Sequence, residues 1–344
     1  MCTPWARPLP PVLFALLALL TGCTARSAPP APLAASPVSS PTPEPVRLTV
    51  PYTPIAGTSA PLWIAVLDGL FLRQGLDVSI EFFSGGSVPI IQSMVAGEYP
   101  LGIPGGGDVL LNRLGGGDLL LIGMHMGFFV IDAYAKPEIR SIADLKGRRI
   151  AVTRIGTSTY FAGVAALASA GIKPDEVSFV QSGGVNESLA VLMAGGADAA
   201  MIGYPAGLRA EQAGFPRLFT FAELGAYGLY PTAVVATRDS WLREPRNRDI
   251  ALRFLRALNE GLQLARTNEA AFKRAIRQYM QIEDEAMLQA TFEYFRMYLP
   301  PSLRVEERAI QNALQFIDHP AAREADPRQF IDNSLVEALE REGR

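Results

Sequence analysis

Two hydrophobic periods alternate along the first half of the chain. Short runs rich in β-branched and aromatic residues, which are typical of strands, are separated by longer segments with apolar residues at helical spacing. The predicted strands are residues 47–52, 78–83, 101–103, 119–125 and 128–134. The predicted helices between them are residues 60–74, 87–95 and 108–114. This alternation predicts an α/β unit with a mostly parallel sheet.

A second, similar run begins at residue 141. Its predicted strands are residues 150–152, 177–180, 197–202 and 218–221, and its predicted helices are 159–170, 187–194 and 208–213. From residue 247 onward the pattern is that of amphipathic helices. The chain therefore predicts two α/β units followed by a helical C-terminal tail.

The two units predict a two-lobed α/β fold with two crossings between the lobes. The chain would leave the first lobe at 134–137 and return along a strand at 230–238. Residues 47–135 and 235–344 would then form lobe 1, and residues 136–234 would form lobe 2. Because ligands of such sheets bind beyond the carboxyl ends of the strands, we expect a binding site between the lobes.

The N-terminal segment has the pattern of an export signal. Residues 12–20 are unbroken apolar and follow Arg7, but they are too few to span a bilayer. They end at Leu20-Thr21-Gly22-Cys23, which resembles the lipobox of bacterial lipoproteins. The resemblance implies a signal peptide at 1–22, acylation of Cys23 and a cell-membrane location on the extracytoplasmic face. An ordinary secretory peptide with a chance cysteine is the alternative.

The composition narrows the kinds of site and partner that this protein can have. Residues 23–46 are rich in Pro, Ala and Ser and predict an extended tether. The chain has only two cysteines, of which Cys23 alone would remain after cleavage, so neither an internal disulfide nor a Cys-based metal site is expected. A formal charge of −3 without basic runs disfavours nucleic acid as a partner.

The segment RIAVTRIGTSTYFAG at 149–163 reads as a strand, a turn and a helix, as phosphate-binding loops do. It lacks both the G-x-G-x-x-G fingerprint and the lysine of a P-loop, so no nucleotide cofactor is expected. What remains is a helix N-terminus with free N–H groups and the hydroxyls of Thr157 and Ser158. These hydroxyls either face a ligand or only cap the helix.

Four short stretches carry a family resemblance. They are AVLDGLF with GLDV (65–71 and 75–78), SIADLKG with RIAV (141–147 and 149–152), AGIKPDEV (170–177) and AGGADAA (194–200). In this order they resemble the solute-binding proteins of ABC importers, specifically the THI5-like group that binds nitrate, taurine, sulfonates, thiamin-precursor pyrimidines and riboflavin. The resemblance covers roughly residues 47–320.

The resemblance implies a periplasmic-binding-protein-like fold whose lobes close around a small molecule. It also implies delivery of that molecule to a membrane permease with its ATPase subunits. We expect the binding protein to act as a monomer. A sensory role, in which the loaded protein is read by a receptor, is the alternative use of the same closure.

The expected ligand-binding residues lie at strand ends and helix starts. They are Tyr52, Thr53, Phe83, Ser84, Asp108, His125, Phe128, Thr157, Ser158, Tyr160, Asn186 and Tyr204. Five of them are Tyr or Phe, although each ring could instead pack inside a lobe. Basic residues are scarce there, with Arg154 the main one. This favours a flat, neutral heteroaromatic ligand: riboflavin first and a thiamin-precursor pyrimidine second, with sulfonate, taurine or nitrate as the alternative.

Catalysis has little support in the sequence. His125 with Asp108 or Asp132 could form an acid–base pair, but no serine or cysteine nucleophile motif accompanies them. The cysteine-rich motif of the pyrimidine synthase in the THI5-like group is also missing. We therefore expect a binding protein that is not an enzyme.

Overall fold

The computed structural model of the chain describes residues 44–84 and 86–343. The predicted signal peptide, Cys23 and nearly all of the tether lie outside the described residues. The strands are β1 (Val46–Tyr52), β2 (Leu76–Phe82), β3 (Leu101–Gly102), β4 (Leu119–Phe128), β5 (Ile131–Ala135), β6 (Arg149–Val152), β7 (Ser178–Gln181), β8 (Ala199–Gly203), β9 (Arg217–Phe219) and β10 (Leu229–Arg238).

Helices make up most of the remaining regular structure. They are α1 (Ala60–Leu67), α2 (Leu70–Arg73), α3 (Ser87–Ala96), α4 (Gly106–Leu114), α5 (Ser158–Ser169), α6 (Val185–Met193), α7 (Ala206–Gln212), α8 (Asp239–Leu242), α9 (Pro245–Thr267), α10 (Glu269–Met280), α11 (Glu285–Arg296), α12 (Glu307–Leu314) and α13 (Ser334–Glu342). The single helix predicted at 60–74 is two helices, because Gly69 between them adopts a left-handed conformation (φ 63°) that breaks the helix.

Lobe 1 is built on β1, β2, β3, β4 and β10. Strands β1 and β2 pair in parallel, and a bridge between Tyr52 and Ile103 joins them to the antiparallel β3-β10-β4 group. Helices α1 and α9 pack against each other. The stacked rings of Phe71 in α2 and Phe254 in α9 have centroids 4.9 Å apart. The C-terminal helices therefore complete the core of lobe 1.

Lobe 2 is a five-stranded sheet in the order β7-β6-β8-β5-β9. Strands β6, β7 and β8 run in parallel, as predicted, while β5 runs antiparallel to β8 and β9. Helices α5, α6 and α7 follow β6, β7 and β8 in turn.

Two crossings connect the lobes. The first consists of Phe129 and Val130, between β4 of lobe 1 and β5 of lobe 2, and the second runs from the end of β9 to β10. The strand pairing places both crossings earlier in the sequence than the lobe boundaries that we expected after residues 135 and 234. The run from 119 to 135 is apolar almost throughout, so its hydrophobic pattern gives no sign of where one lobe ends.

Two of the signature stretches contact each other in lobe 2. The Arg149 side chain donates to Asp198 and to the carbonyls of Gly195 and Gly196, and Lys136 donates to Asp198 at 2.7 Å. These charged partners hold the pKa of the Asp198 carboxyl well below its usual range. Asp198 therefore joins three segments of lobe 2 that are distant in the sequence.

Within residues 44–343, no helix combines the length and the apolar character needed to cross a membrane.

Candidate binding cleft

A cavity of about 530 Å³ lies between the two lobes, within the range usual for small-molecule sites. Both lobes and the first crossing contribute to its walls. The lining residues are Pro54, Ile55, Ala56, Thr58, Thr232 and Phe295 from lobe 1, Val130 from the crossing, and Ile131, Thr153, Ser158, Thr159, Val185, Asn186, Gly203, Tyr204, Pro205, Ala206 and Arg209 from lobe 2.

The lobe 2 wall is made where three parallel strands end and helices begin. The ends of β6, β7 and β8 lead into α5, α6 and α7, and each junction places residues on the cavity. Ser158 is the first residue of α5, and Asn186 lies in the first turn of α6. The cavity therefore lies beyond the carboxyl ends of the strands, as expected for this class of sheet.

Three threonines at the β6–α5 junction bond to one another. The hydroxyls of Thr153, Thr157 and Thr159 lie 2.8–3.1 Å apart in pairs, and Thr157 also donates to the Arg154 carbonyl. Thr153 and Thr159 line the cavity. This network fixes the backbone of the junction and leaves Ser158 as an exposed hydroxyl at the cavity wall.

Arg209 is the only charged side chain among the described residues that line the cavity. It lies in α7 and is exposed, and no ion pair or hydrogen bond holds its guanidinium within the described part of the chain. Arg154, the basic residue favoured by the sequence, is exposed on the same junction but does not line the cavity. The cleft thus offers one available positive charge beside several hydroxyls.

The lobe 1 wall is mainly apolar. Pro54, Ile55 and Ala56 follow β1, and the Ser59 hydroxyl donates to the Pro54 carbonyl at 2.7 Å. The Phe295 ring lies directly over Gly57, where an added Cβ would come within 2.2 Å of the ring carbons. Only glycine therefore allows Phe295 to reach this wall.

An aromatic contact joins the lobes beside the cavity. Tyr204 of lobe 2 stacks on Tyr294 of α11, with ring centroids 4.8 Å apart, and meets Phe295 edge-on at 6.2 Å. The buried hydroxyls of Tyr204 and Tyr294 have no hydrogen-bond partner within the described residues. Tyr204 therefore has one face taken by lobe 1.

Three of the expected ligand-binding residues line the cavity: Ser158, Asn186 and Tyr204. Among the other nine, four aromatic rings are buried or half-buried and pack against other rings of the protein. Tyr52 packs against Trp63 and Phe82, Phe83 against Tyr99, Phe128 against Tyr298, and Tyr160 against Phe161 and Phe179. The structure therefore does not bring the five rings together at one surface.

The remaining five lie around the cavity or away from it. Thr53 precedes the lining residue Pro54, Thr157 lies behind Ser158 in the hydroxyl network, and Ser84 is exposed after β2. Asp108 lies in the first turn of α4, and burial raises the pKa of its carboxyl. His125 is fully buried in β4.

The buried histidine is neutral. Its two ring nitrogens have no hydrogen-bond partner within the described residues, and burial lowers the pKa of His125 to about 4. A side chain with this environment is not placed to exchange protons with a molecule in the cleft.

The lining residues that the sequence did not predict are chiefly Arg209 and the apolar segment after β1. Arg209 falls in a predicted helix after a predicted strand, so its position in the β-α order was the available signal.

Residues 57–271 match the sequence profile of the family described as NMT1/THI5 like, which is more than half of the chain. The chain belongs to this family. A comparison with curated protein sequences gives no significant match.

Solved structures show the fold of this NMT1/THI5-like chain. The periplasmic aliphatic sulphonate-binding protein SsuA from Escherichia coli is 18% identical with a TM-score of 0.69, and the match covers 85% of this chain and 99% of SsuA. The periplasmic nitrate-binding protein NrtA from Synechocystis is 13% identical with a TM-score of 0.63, over 87% and 89% of the two chains. A protein from Bordetella bronchiseptica is 22% identical with a TM-score of 0.68, over 87% and 98%. The chain therefore has the periplasmic-binding-protein fold.

Proposed function

We propose that this chain is the extracytoplasmic solute-binding component of an ABC importer, and that it captures a small organic anion without chemical turnover. The ligand class is inferred from Arg209, whose guanidinium is available on a cavity wall that is otherwise neutral. Ser158 and Asn186 add neutral polar groups on the same wall, and the facing segment from Pro54 to Ala56 is apolar. An anionic head group with a short apolar body matches both walls.

The known neighbours support this class. SsuA from Escherichia coli is described as binding aliphatic sulphonates, and the structure from Xanthomonas axonopodis holds the sulfonate buffer MOPS. The flavin hypothesis depended on aromatic rings at strand ends and on the lack of a cation. Four of those rings pack against other rings of the protein and do not line the cavity, and Arg209 supplies the cation, so we propose the sulfonate alternative in its place.

Calorimetric titration with ethanesulfonate, nitrate and riboflavin tests the proposal. We expect ethanesulfonate to bind and Arg209→Gln to weaken binding about 10- to 100-fold, because one charge-assisted contact is lost. The matched control is Arg154→Gln, which removes an exposed arginine of the same lobe outside the cavity and should leave affinity unchanged. Riboflavin binding with quenched flavin emission, unaffected by Arg209→Gln, would contradict the anion proposal.

Delivery to a permease and anchoring at the membrane belong to the same proposal. Cys23 lies outside the described residues, and the lipobox resemblance supports its acylation. Cys23→Ala should move the protein from the membrane fraction to the soluble fraction. Retention of the variant on membranes would contradict the lipid anchor and would leave ligand capture unaffected.

A further inference from the structure

A cluster of four polar side chains lies at the junction of the lobes, which we call the hinge cluster: Asp132, Arg217, Tyr294 and Tyr298. Asp132 belongs to β5 of lobe 2, two residues after the first crossing, and its side chain is 1% exposed. Tyr294 and Tyr298 belong to α11 and the residues after it, which pack with lobe 1 through α10 and the turn that contains Gly57. The carboxyl group and the two phenols therefore come from different lobes.

The contacts of Asp132 are few for a buried carboxylate. The Tyr298 hydroxyl donates to Oδ1 at 3.5 Å, which is the limit of a hydrogen bond, and Arg217 lies 3.6 Å from Oδ2. Oδ2 itself has no hydrogen-bond partner within the described residues. A buried charge with such contacts is costly, so this arrangement favours the neutral acid.

The other ionisable groups around Asp132 do not change this balance. Arg217 also forms an ion pair with Glu211 of α7, with 3.7 Å between the Arg217 Nε and the Glu211 Oε1 atoms. This second partner weakens the attraction between Arg217 and Asp132. Tyr134 lies on the same strand and stays protonated, because burial raises its pKa. Arg217, Tyr294 and Tyr298 favour the ionised form, yet burial outweighs them and raises the pKa of Asp132 to about 7.

We propose that the hinge cluster is a proton-sensitive contact between the lobes, in which uptake of a proton by Asp132 favours the lobe arrangement that encloses the cavity. The phenols of Tyr294 and Tyr298 shield Asp132 from water only while the lobes hold their present positions. A rotation of lobe 2 away from α11 would also separate the Tyr204–Tyr294 stack beside the cavity. Water would then reach the carboxyl and favour its ionised form.

The proposal predicts that the lobe arrangement depends on pH in the absence of any ligand. Spin labels at Val95→Cys of lobe 1 and Met193→Cys of lobe 2, both exposed positions, report the distance between lobes in a chain with Cys2 and Cys23 replaced by Ser. Between about pH 5 and about pH 8.5, we expect the ratio of the two distance populations to change at least about tenfold. Asp132→Asn should hold the low-pH distribution throughout.

Two further variants separate this role from a structural one. Tyr298→Phe removes a donor that favours the ionised carboxyl, so the midpoint of the transition should move to higher pH. Asp77→Asn removes an exposed carboxyl of lobe 1 and should leave the transition unchanged. A wild-type distribution that does not respond to pH, or a response that survives in Asp132→Asn, would overturn the proposal. Because the measurement needs no ligand, neither outcome bears on the proposed function.

Discussion

His125 and Asp132 lie on opposite sides of the first crossing and illustrate two uses of burial. Both side chains are almost completely buried, and burial favours the neutral form of each, with the pKa lowered to about 4 in His125 and raised to about 7 in Asp132. His125 has no hydrogen-bond partner within the described residues, whereas Asp132 is met by Tyr298 from the other lobe. Burial sets the protonation state of both, but only a neighbour from the opposite lobe can link that state to lobe movement.

The largest expected effect comes from Asp132→Asn. The pKa of Asp132 is raised on folding. The stability that the protonated carboxyl contributes is therefore complete below about pH 4 and is lost as the pH rises to about 7. The wild type should therefore lose about 1.4 kcal/mol per pH unit relative to Asp132→Asn across this window, roughly 4 kcal/mol in total. Urea unfolding at several pH values measures the difference. Parallel curves for the two proteins would show that Asp132 is ionised in the folded state at these pH values.

His125→Met should act in the opposite direction. The pKa of His125 is lowered on folding, so the stability that the neutral imidazole allows is present above about pH 6.5 and is lost as the pH falls to about 4. Relative to the methionine variant, the wild type should lose roughly 3 kcal/mol over this range. The same unfolding series measures it, and a constant difference between the two proteins would contradict a buried neutral histidine.

The two effects overlap between about pH 4 and pH 6.5, so the wild-type curve alone should look nearly flat there. The double variant sharpens the comparison. If the crossing separates the two groups energetically, its curve should equal the sum of the single effects within about 0.5 kcal/mol. A larger deviation would mean that His125 and Asp132 interact, and that lobe 1 senses the proton as well.

The sequence predicted the architecture because hydrophobic period is a local signal. Nearly every predicted strand and helix is found, and the alternation correctly gave two α/β lobes followed by helices. The crossing was harder to predict. The strand pairs that separate β4 from β5 are contacts with distant strands, and the gap predicted between residues 125 and 128 does not coincide with the change of partner after Phe128.

The lining of the candidate cleft was predicted only in part, for a related reason. Three residues expected from the strand-end rule, Ser158, Asn186 and Tyr204, line the cavity, but the rule cannot show which way a ring points. Tyr52, Phe83 and Tyr160 also lie at strand ends or helix starts, and there they pack against other rings of their own lobes. Asp132 gave no sequence signal of its role, because the phenols that cover it come from residues more than 160 positions away.

The smallest expected effect distinguishes the two stacked tyrosines. Both Tyr294 and Tyr204 have buried, unpaired hydroxyls in the described structure, so replacing either with Phe should change stability by no more than about 1 kcal/mol. Of these two tyrosines, only Tyr294 lies close enough to Asp132 for its hydroxyl to lower the pKa of the carboxyl. Tyr294→Phe should therefore move the inflection of the stability curve to higher pH by about half a unit, while Tyr204→Phe leaves it in place. Equal inflections in the two variants would mean that α11 covers Asp132 without contributing a polar contact, and the link between the lobes would then depend on Tyr298 alone.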